Sequence, residues 1–91
     1  MTARFELGKL ITSPGASRFC DKYDISIVDV LRRYLQGDWG NSSPFDKSKN
    51  NKVVETGDGQ IFAAYHFLQG RLWIITDFGK RQTRVLTPEE Y

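Results

Sequence analysis

Residues Gln60 to Leu68 carry apolar groups on both parities: Ile61, Ala63, Tyr65 and Phe67 on one, Phe62, Ala64 and Leu68 on the other. Side chains alternate between faces along a strand, so this segment must be covered on both sides, and such strands are usually central in a sheet. Gln69-Gly70 suits a two-residue hairpin turn. Arg71 to Phe78 then repeats the pattern, with Leu72, Ile74, Thr76 and Phe78 opposed to Trp73 and Ile75. After a second turn at Gly79-Lys80, Arg81 to Thr87 reads as a more polar strand, expected nearer an edge. The C-terminal part is therefore predicted to be a three-stranded antiparallel meander. Its second face needs a cover, either residues 41–58 or a second copy of the chain.

The preceding half reads differently. Phe5 to Ile11 is expected to be a short strand in which Gly8 marks a bulge or a close backbone contact. Ser13-Pro14 is a helix start, because serine can cap free N–H groups and proline at the first helical position has no N–H to satisfy. Ala16, Phe19, Cys20 and Tyr23 follow at helical spacing. A second helix starts at Ser26, with Asp29 three residues on and an Ile25–Val30 hydrophobic staple. Its predicted apolar stripe is Val28, Leu31, Tyr34 and Leu35, and Gly37 is its terminator. Residues 41–58 are polar and read as mixed loop and helix. Ser43-Pro44 could cap one more short helix, anchored by Phe45, Val53 and Val54. Thr87-Pro88-Glu89-Glu90 looks like a last helix start. The prediction is one α+β domain over residues 1–91, in two layers: an N-terminal strand, two short helices, then the meander.

Composition narrows the function. The chain has 91 residues, enough for one domain, with 40% hydrophobic and 26% charged residues, which suits a folded globule. Six Phe, four Tyr and two Trp supply large apolar area to a small core. A net charge of +2 is too balanced to imply nucleic acid by itself. The single cysteine, Cys20, excludes an intramolecular disulfide and lies in a helical apolar pattern, which predicts a buried, inert thiol. The charged N-terminus carries no signal-peptide pattern and no apolar run reaches membrane-spanning length, so the expected compartment is the cytoplasm.

Little in the chain has catalytic spacing. One cysteine and one histidine cannot form a zinc site without carboxylates, so no metal or other cofactor is expected. There is no glycine-rich nucleotide loop. Thr12-Ser13-Pro14-Gly15 could hold an anion on its N–H groups, although an ordinary capped helix start explains it better. The start of the second helix, Ile27-Val28-Asp29, is too apolar and acidic to read a DNA groove. The meander gathers His66, Arg71, Lys80, Arg81, Arg84 and Tyr91, with Trp73 in the same pattern. His66 shares its parity with Phe62, Ala64 and Leu68. It reads either as a packed, hydrogen-bonded histidine or as an acid/base beside cations that steady a phosphate.

The order of strand, helices and meander resembles the small ribonuclease toxins of the RelE/ParE and BrnT type. Lys22-Tyr23-Asp24-Ile25-Ser26 through Leu31 is similar to a helix-break-helix of the BrnT group. That likeness is topological and brings no catalytic residue with it. A closer resemblance rests on three segments: Leu7 through Ala16, Gly37-Asp38-Trp39-Gly40, and Trp73-Ile74-Ile75-Thr76-Asp77 running on to Leu86-Thr87-Pro88-Glu89-Glu90-Tyr91. These are similar to a family of small "plasmid-related" proteins of bacterial plasmids and integrative elements, some of which carry a type I restriction subunit label. The similarity spans nearly the whole chain and implies a complete, bacterial, intracellular, mobile-element-borne protein. Lys80-Arg81-Gln82 and the lysines of 47–52 are more basic than the family pattern.

The expected function is binding of another protein, without catalysis, in host defence or regulation. The candidate surface is Asp38, Trp39, Arg71, Trp73, Arg81, Arg84 and Tyr91, with Trp39 expected to be exposed or half-exposed. The alternatives are a ribonuclease built on His66 with Arg81 and Arg84, and a general nucleic-acid binder using the meander's basic groups. A homodimer is compatible with each.

Overall fold

The computed structural model describes residues 3–91. Among them the elements run β1 (Lys9–Thr12), α1 (Pro14–Tyr23), α2 (Ile27–Leu35), α3 (Pro44–Thr56), β2 (Gln60–Phe67), β3 (Gly70–Asp77), β4 (Gln82–Leu86) and a closing 3₁₀ turn, Pro88–Glu90. The class is α+β, as the pattern predicts.

The helix signals act as local chemistry requires. Ser13, Ser26 and Ser43 each accept from the N–H three residues on, and Pro14 and Pro44 occupy first-turn positions. At the end of α2, Gly37 has φ +83°, its N–H donates to the Tyr34 carbonyl, and Asp38 N–H reaches back to Arg33. That pairing is a Schellman motif, which needs a left-handed residue at Gly37. The buried stripe of α2 is Val30, Leu31 and Tyr34; Val28 lies outside it and is exposed.

Sheet order departs from expectation. The sheet runs β1-β4-β3-β2, with β1 parallel to β4 and the other pairs antiparallel. The strand with two apolar faces, β2, is therefore at an edge, and the more polar β4 is interior. The meander is three strands of a mixed, four-stranded sheet. β1 begins only at Lys9, because Gly8 turns at φ +66° with its Cα packed on the Arg81 carbonyl; a Cβ there would lie 2.1 Å from that oxygen. Phe5 and Leu7 consequently leave the sheet and pack onto the core. The hairpin turn is Leu68-Gln69, one residue earlier than expected, with Phe67 paired to Gly70.

Residues 41–58 differ most from their reading. They form α3, 13 residues long, whose supposed anchor Phe45 is 77% exposed. The buried groups of α3 are Val53 and Asn50. Asn50 acts as a strand would: its amide donates to the Phe62 carbonyl at 2.7 Å and accepts from Phe62 N–H at 3.2 Å. Next to it, Ser42 Oγ accepts from Ala64 N–H, Asn41 N–H donates to the Ala64 carbonyl, and Asn41 Oδ1 accepts from His66 N–H. The outward edge of β2 is thus closed by polar side chains, which explains why this segment is so polar. Open edges invite pairing with other chains, and covering them is a standard remedy.

The core lies on one face of the sheet. Ile61, Ala63 and Tyr65 of β2, Leu72 and Ile74 of β3 and Val85 of β4 meet Ala16 and Cys20 of α1, Val30, Leu31 and Tyr34 of α2, and Trp39. The other face presents Phe62, Ala64, His66, Arg71, Trp73, Ile75, Arg84, Leu86 and Ile11. Among the described residues no helix layer covers that side; the C-terminal turn approaches it.

Candidate functional site

The Gly37–Gly40 turn is a structural lock. Asp38 accepts from Arg33 Nε at 2.8 Å and from Gly40 N–H at 3.0 Å, and Arg33 lies 5.0 Å over the Tyr65 ring. The Arg33 hydrogen bond is the main reason the Asp38 carboxyl titrates below its usual range. Tyr65 donates its phenol to the Asp38 carbonyl. Trp39 is 3% exposed: its ring packs edge-to-face on Tyr34 at 5.5 Å and its indole N–H donates to Asn51. The expected exposure of Trp39 is therefore corrected. A large aromatic flanked by two glycines gave no sign of which way it would turn. Gly40, at φ +62°, lies so close to β2 that a Cβ would fall 2.5 Å from the Tyr65 ring. Asp38 and Trp39 hold the end of α2 onto β2; Trp39 is buried, while the Asp38 carboxylate stays half exposed.

The cations of the meander do not converge on His66. His66 is exposed and pairs across the hairpin with Arg71, so it is not the packed histidine that its parity suggested. Arg81 sits in the β3–β4 turn at φ +52°, at the opposite end of the sheet. The six residue steps from Arg71 to Asp77 place the two ends about 20 Å apart at ~3.4 Å per step. Arg84 is mid-sheet, opposite Ile75. No group of three His, Cys, Asp or Glu side chains with metal-binding geometry occurs among the described residues.

The open face does bring together Trp73, Tyr91, Arg71 and Arg84. Trp73 stacks edge-to-face with Phe62 at 5.0 Å and with Tyr91 at 5.4 Å, so the three rings form a row. Trp73 and Phe62 are half-buried and Tyr91 is 76% exposed. Beneath and beside them Ala64, Ile75 and Leu86 are buried although they lie outside the main core. Arg71 and Arg84 are exposed on the same face.

Tyr91 is held there by an anion site inside the chain. The Glu90 carboxylate accepts from Gly15 N–H at 3.0 Å, from the Ser13 hydroxyl, and from Thr87 N–H at 2.9 Å. These contacts, led by the Ser13 hydrogen bond, pull its pKa from 4.5 down to about 2. The ordinary capped helix start favoured for Thr12–Gly15 is present, with Ser13 as the cap, and the chain's own Glu90 carboxylate also reaches it. Sequence reading missed Glu90 and Phe62; the Thr87-x-x-Glu90 capping pattern was the available signal.

A groove of about 610 Å³ on the opposite side of the domain is lined by Arg4, Phe5, Glu6, Leu7, Phe78 and Arg81 among others. Of the predicted surface it contains only Arg81. Burial pushes the Cys20 thiol above its usual pKa, as expected of an inert cysteine. No helix among the described residues is long and apolar enough to cross a membrane. No protein family, curated protein or solved structure matches the chain.

Proposed function

We propose that the protein is a non-catalytic binding module whose working surface is the open sheet face, and that its partner is another protein. The carrying observation is the solvent-facing row Phe62–Trp73–Tyr91 over buried Ala64, Ile75 and Leu86, flanked by Arg71 and Arg84. Trp, Tyr and Arg dominate binding hot spots when they surround a small desolvated centre. The separation of His66 from Arg81 weighs against phosphate chemistry on this face. The resemblance to plasmid-borne proteins supports a cytoplasmic role on a bacterial mobile element, in defence or regulation.

Aromatic rings beside cations also suit single-stranded nucleic acid. Here the rings pack edge-to-face on each other rather than lying side by side as stacking platforms, and Asp77 shares the face. Affinity capture from bacterial lysate, with and without nuclease, separates the two. The expected result is a protein retained after nuclease treatment and lost with Trp73→Ala and Arg84→Glu. Retention abolished by nuclease would replace the protein partner with nucleic acid. Retention unchanged in both variants would remove the sheet face from the function.

A further inference from the structure

The two edges of the sheet are treated oppositely. The β2 edge is closed by Asn41, Ser42 and Asn50, whereas β1 forms the other edge with Lys9, Leu10 and Ile11 all exposed. Lys9 N–H bonds to the Arg81 carbonyl and Ser13 N–H to the Val85 carbonyl. In a parallel ladder alternate residues face the neighbour, so the N–H and C=O groups of Leu10 and Thr12 point away from β4. Among the described residues nothing pairs with them. Leu10 is 43% exposed and Ile11 37%, on opposite sides of the strand, so a single added strand beside β1 would cover part of both.

We propose that β1 pairs antiparallel with β1 of a second copy, with Ile11 against its twin on the two-fold axis. In this register Leu10 and Thr12 exchange both backbone hydrogen bonds with the other copy's Thr12 and Leu10. Every outward backbone group of β1 is then used. The charges agree with it. Lys9 falls opposite the other copy's Ser13, whose hydroxyl already holds the Glu90 carboxylate. Directly opposed side chains in a sheet lie about 5 Å apart, within reach of a lysine. The two Lys9 side chains are meanwhile kept well apart. Shifting the register to oppose Leu10 with Leu10 would bring the lysines closer. It would also place Thr12 opposite Gly8, whose φ of +66° is not extended. The axis is perpendicular to the sheet, so both aromatic faces end on one side of the dimer. This inference stands independently of what that face binds.

The test is sedimentation velocity of the full chain across a concentration series, together with single-cysteine cross-linking. A concentration-dependent dimer is expected. Lys9→Glu should raise its dissociation constant by about tenfold or more, equivalent to about 1.4 kcal/mol. Ile11→Cys should form a disulfide-linked dimer, because a non-hydrogen-bonded antiparallel pair has Cα atoms about 4.5 Å apart, within the disulfide range. Leu10→Cys should not, since a diagonal pair lies about 7–8 Å apart. Buried Cys20 acts as an internal control, because the parent chain should not cross-link. A monomer at every concentration overturns the proposal. So does cross-linking through Leu10→Cys in place of Ile11→Cys, or a dimer indifferent to Lys9→Glu. Circular dichroism of each variant separates lost association from lost folding.

Discussion

A buried chain of hydroxyls joins α2 to the sheet, and its direction can be deduced. Tyr34 Oη lies 2.6 Å from Thr76 Oγ1, Thr76 Oγ1 lies 2.7 Å from Thr83 Oγ1, and Thr83 Oγ1 lies 2.7 Å from the Leu7 carbonyl. A carbonyl only accepts, so the single Thr83 proton goes to Leu7. Thr83 must then accept from Thr76, and Thr76 from Tyr34. Tyr34 is the terminal donor and must stay protonated, in keeping with a phenol pKa that burial raises far above its usual value. Tyr34→Phe removes one bond and leaves no donor without an acceptor, so the expected loss is about 1 kcal/mol, a fall in Tm of about 4–8 °C. Thr83→Val keeps the shape but breaks two bonds. It strands the Thr76 proton in a site where Thr76 is 1% exposed. One lost bond plus an unsatisfied buried donor comes to about 2–4 kcal/mol. Urea unfolding followed by tryptophan fluorescence measures both. If Tyr34→Phe destabilises as much as Thr83→Val, or more, the deduced direction is wrong.

Gly40→Ala should lower stability by at least about 2 kcal/mol, combining a left-handed backbone with overlap on Tyr65. Gly57→Ala, equally left-handed at φ +70° but with nothing within 4 Å, should lose only about 1–2 kcal/mol, which unfolding of the pair will show. Asn50→Ala should cost about 1–3 kcal/mol and speed amide exchange at Phe62, because both Phe62 backbone groups lose their partner; unchanged exchange there would contradict the edge-closing role. Glu90 has its folded pKa lowered, so its stabilising contribution is present above its unfolded pKa of 4.5 and fades as pH falls towards about 2. Glu90→Gln should therefore flatten the unfolding midpoint over that range, and parallel profiles for parent and variant would refute it.

Local signals were legible because local chemistry decides them. Serine caps at 13, 26 and 43, prolines 14 and 44, and Gly37 all act through bonds within a few residues, and each acts as its residue type requires. Strand order was not legible, because period-two patterning reports how many faces are covered and says nothing of neighbours along the hydrogen-bond direction. β2 looked central because its two faces are apolar, yet its edge is closed by side-chain amides. An asparagine that replaces a strand, as Asn50 does, cannot be told in sequence from one that faces water. The same ambiguity left the α3 segment reading as mixed loop and helix: its buried contact is an amide and a valine rather than an apolar stripe. Cover for the second face of β2 was expected from residues 41–58 or from a second copy of the chain; residues 41–58 close its edge instead.

That difference bears on function. With α3 on the edge of β2, the C-terminal turn is what covers the outer face among the described residues, and the Glu90 carboxylate ties that turn to Ser13 and Gly15. Glu90 occupies the N-terminus of α1, where backbone N–H groups and the helix dipole favour a negative charge. Gly15 permits the approach: a Cβ there would fall within 2.5 Å of the carboxyl carbon. The tether fixes Tyr91 beside Trp73 at the end of the aromatic row. The proposed recognition face is thus assembled by a contact between the two ends of the chain. A variant that loosens it, such as Gly15→Val, should weaken partner capture without touching the partner. Trp73→Ala should weaken capture while leaving the Glu90-dependent pH profile intact. If both variants reduce capture but only Gly15→Val alters the pH profile, assembly of the face and recognition by it are separate steps. If Gly15→Val alters the pH profile and leaves capture unchanged, Tyr91 is no part of the face.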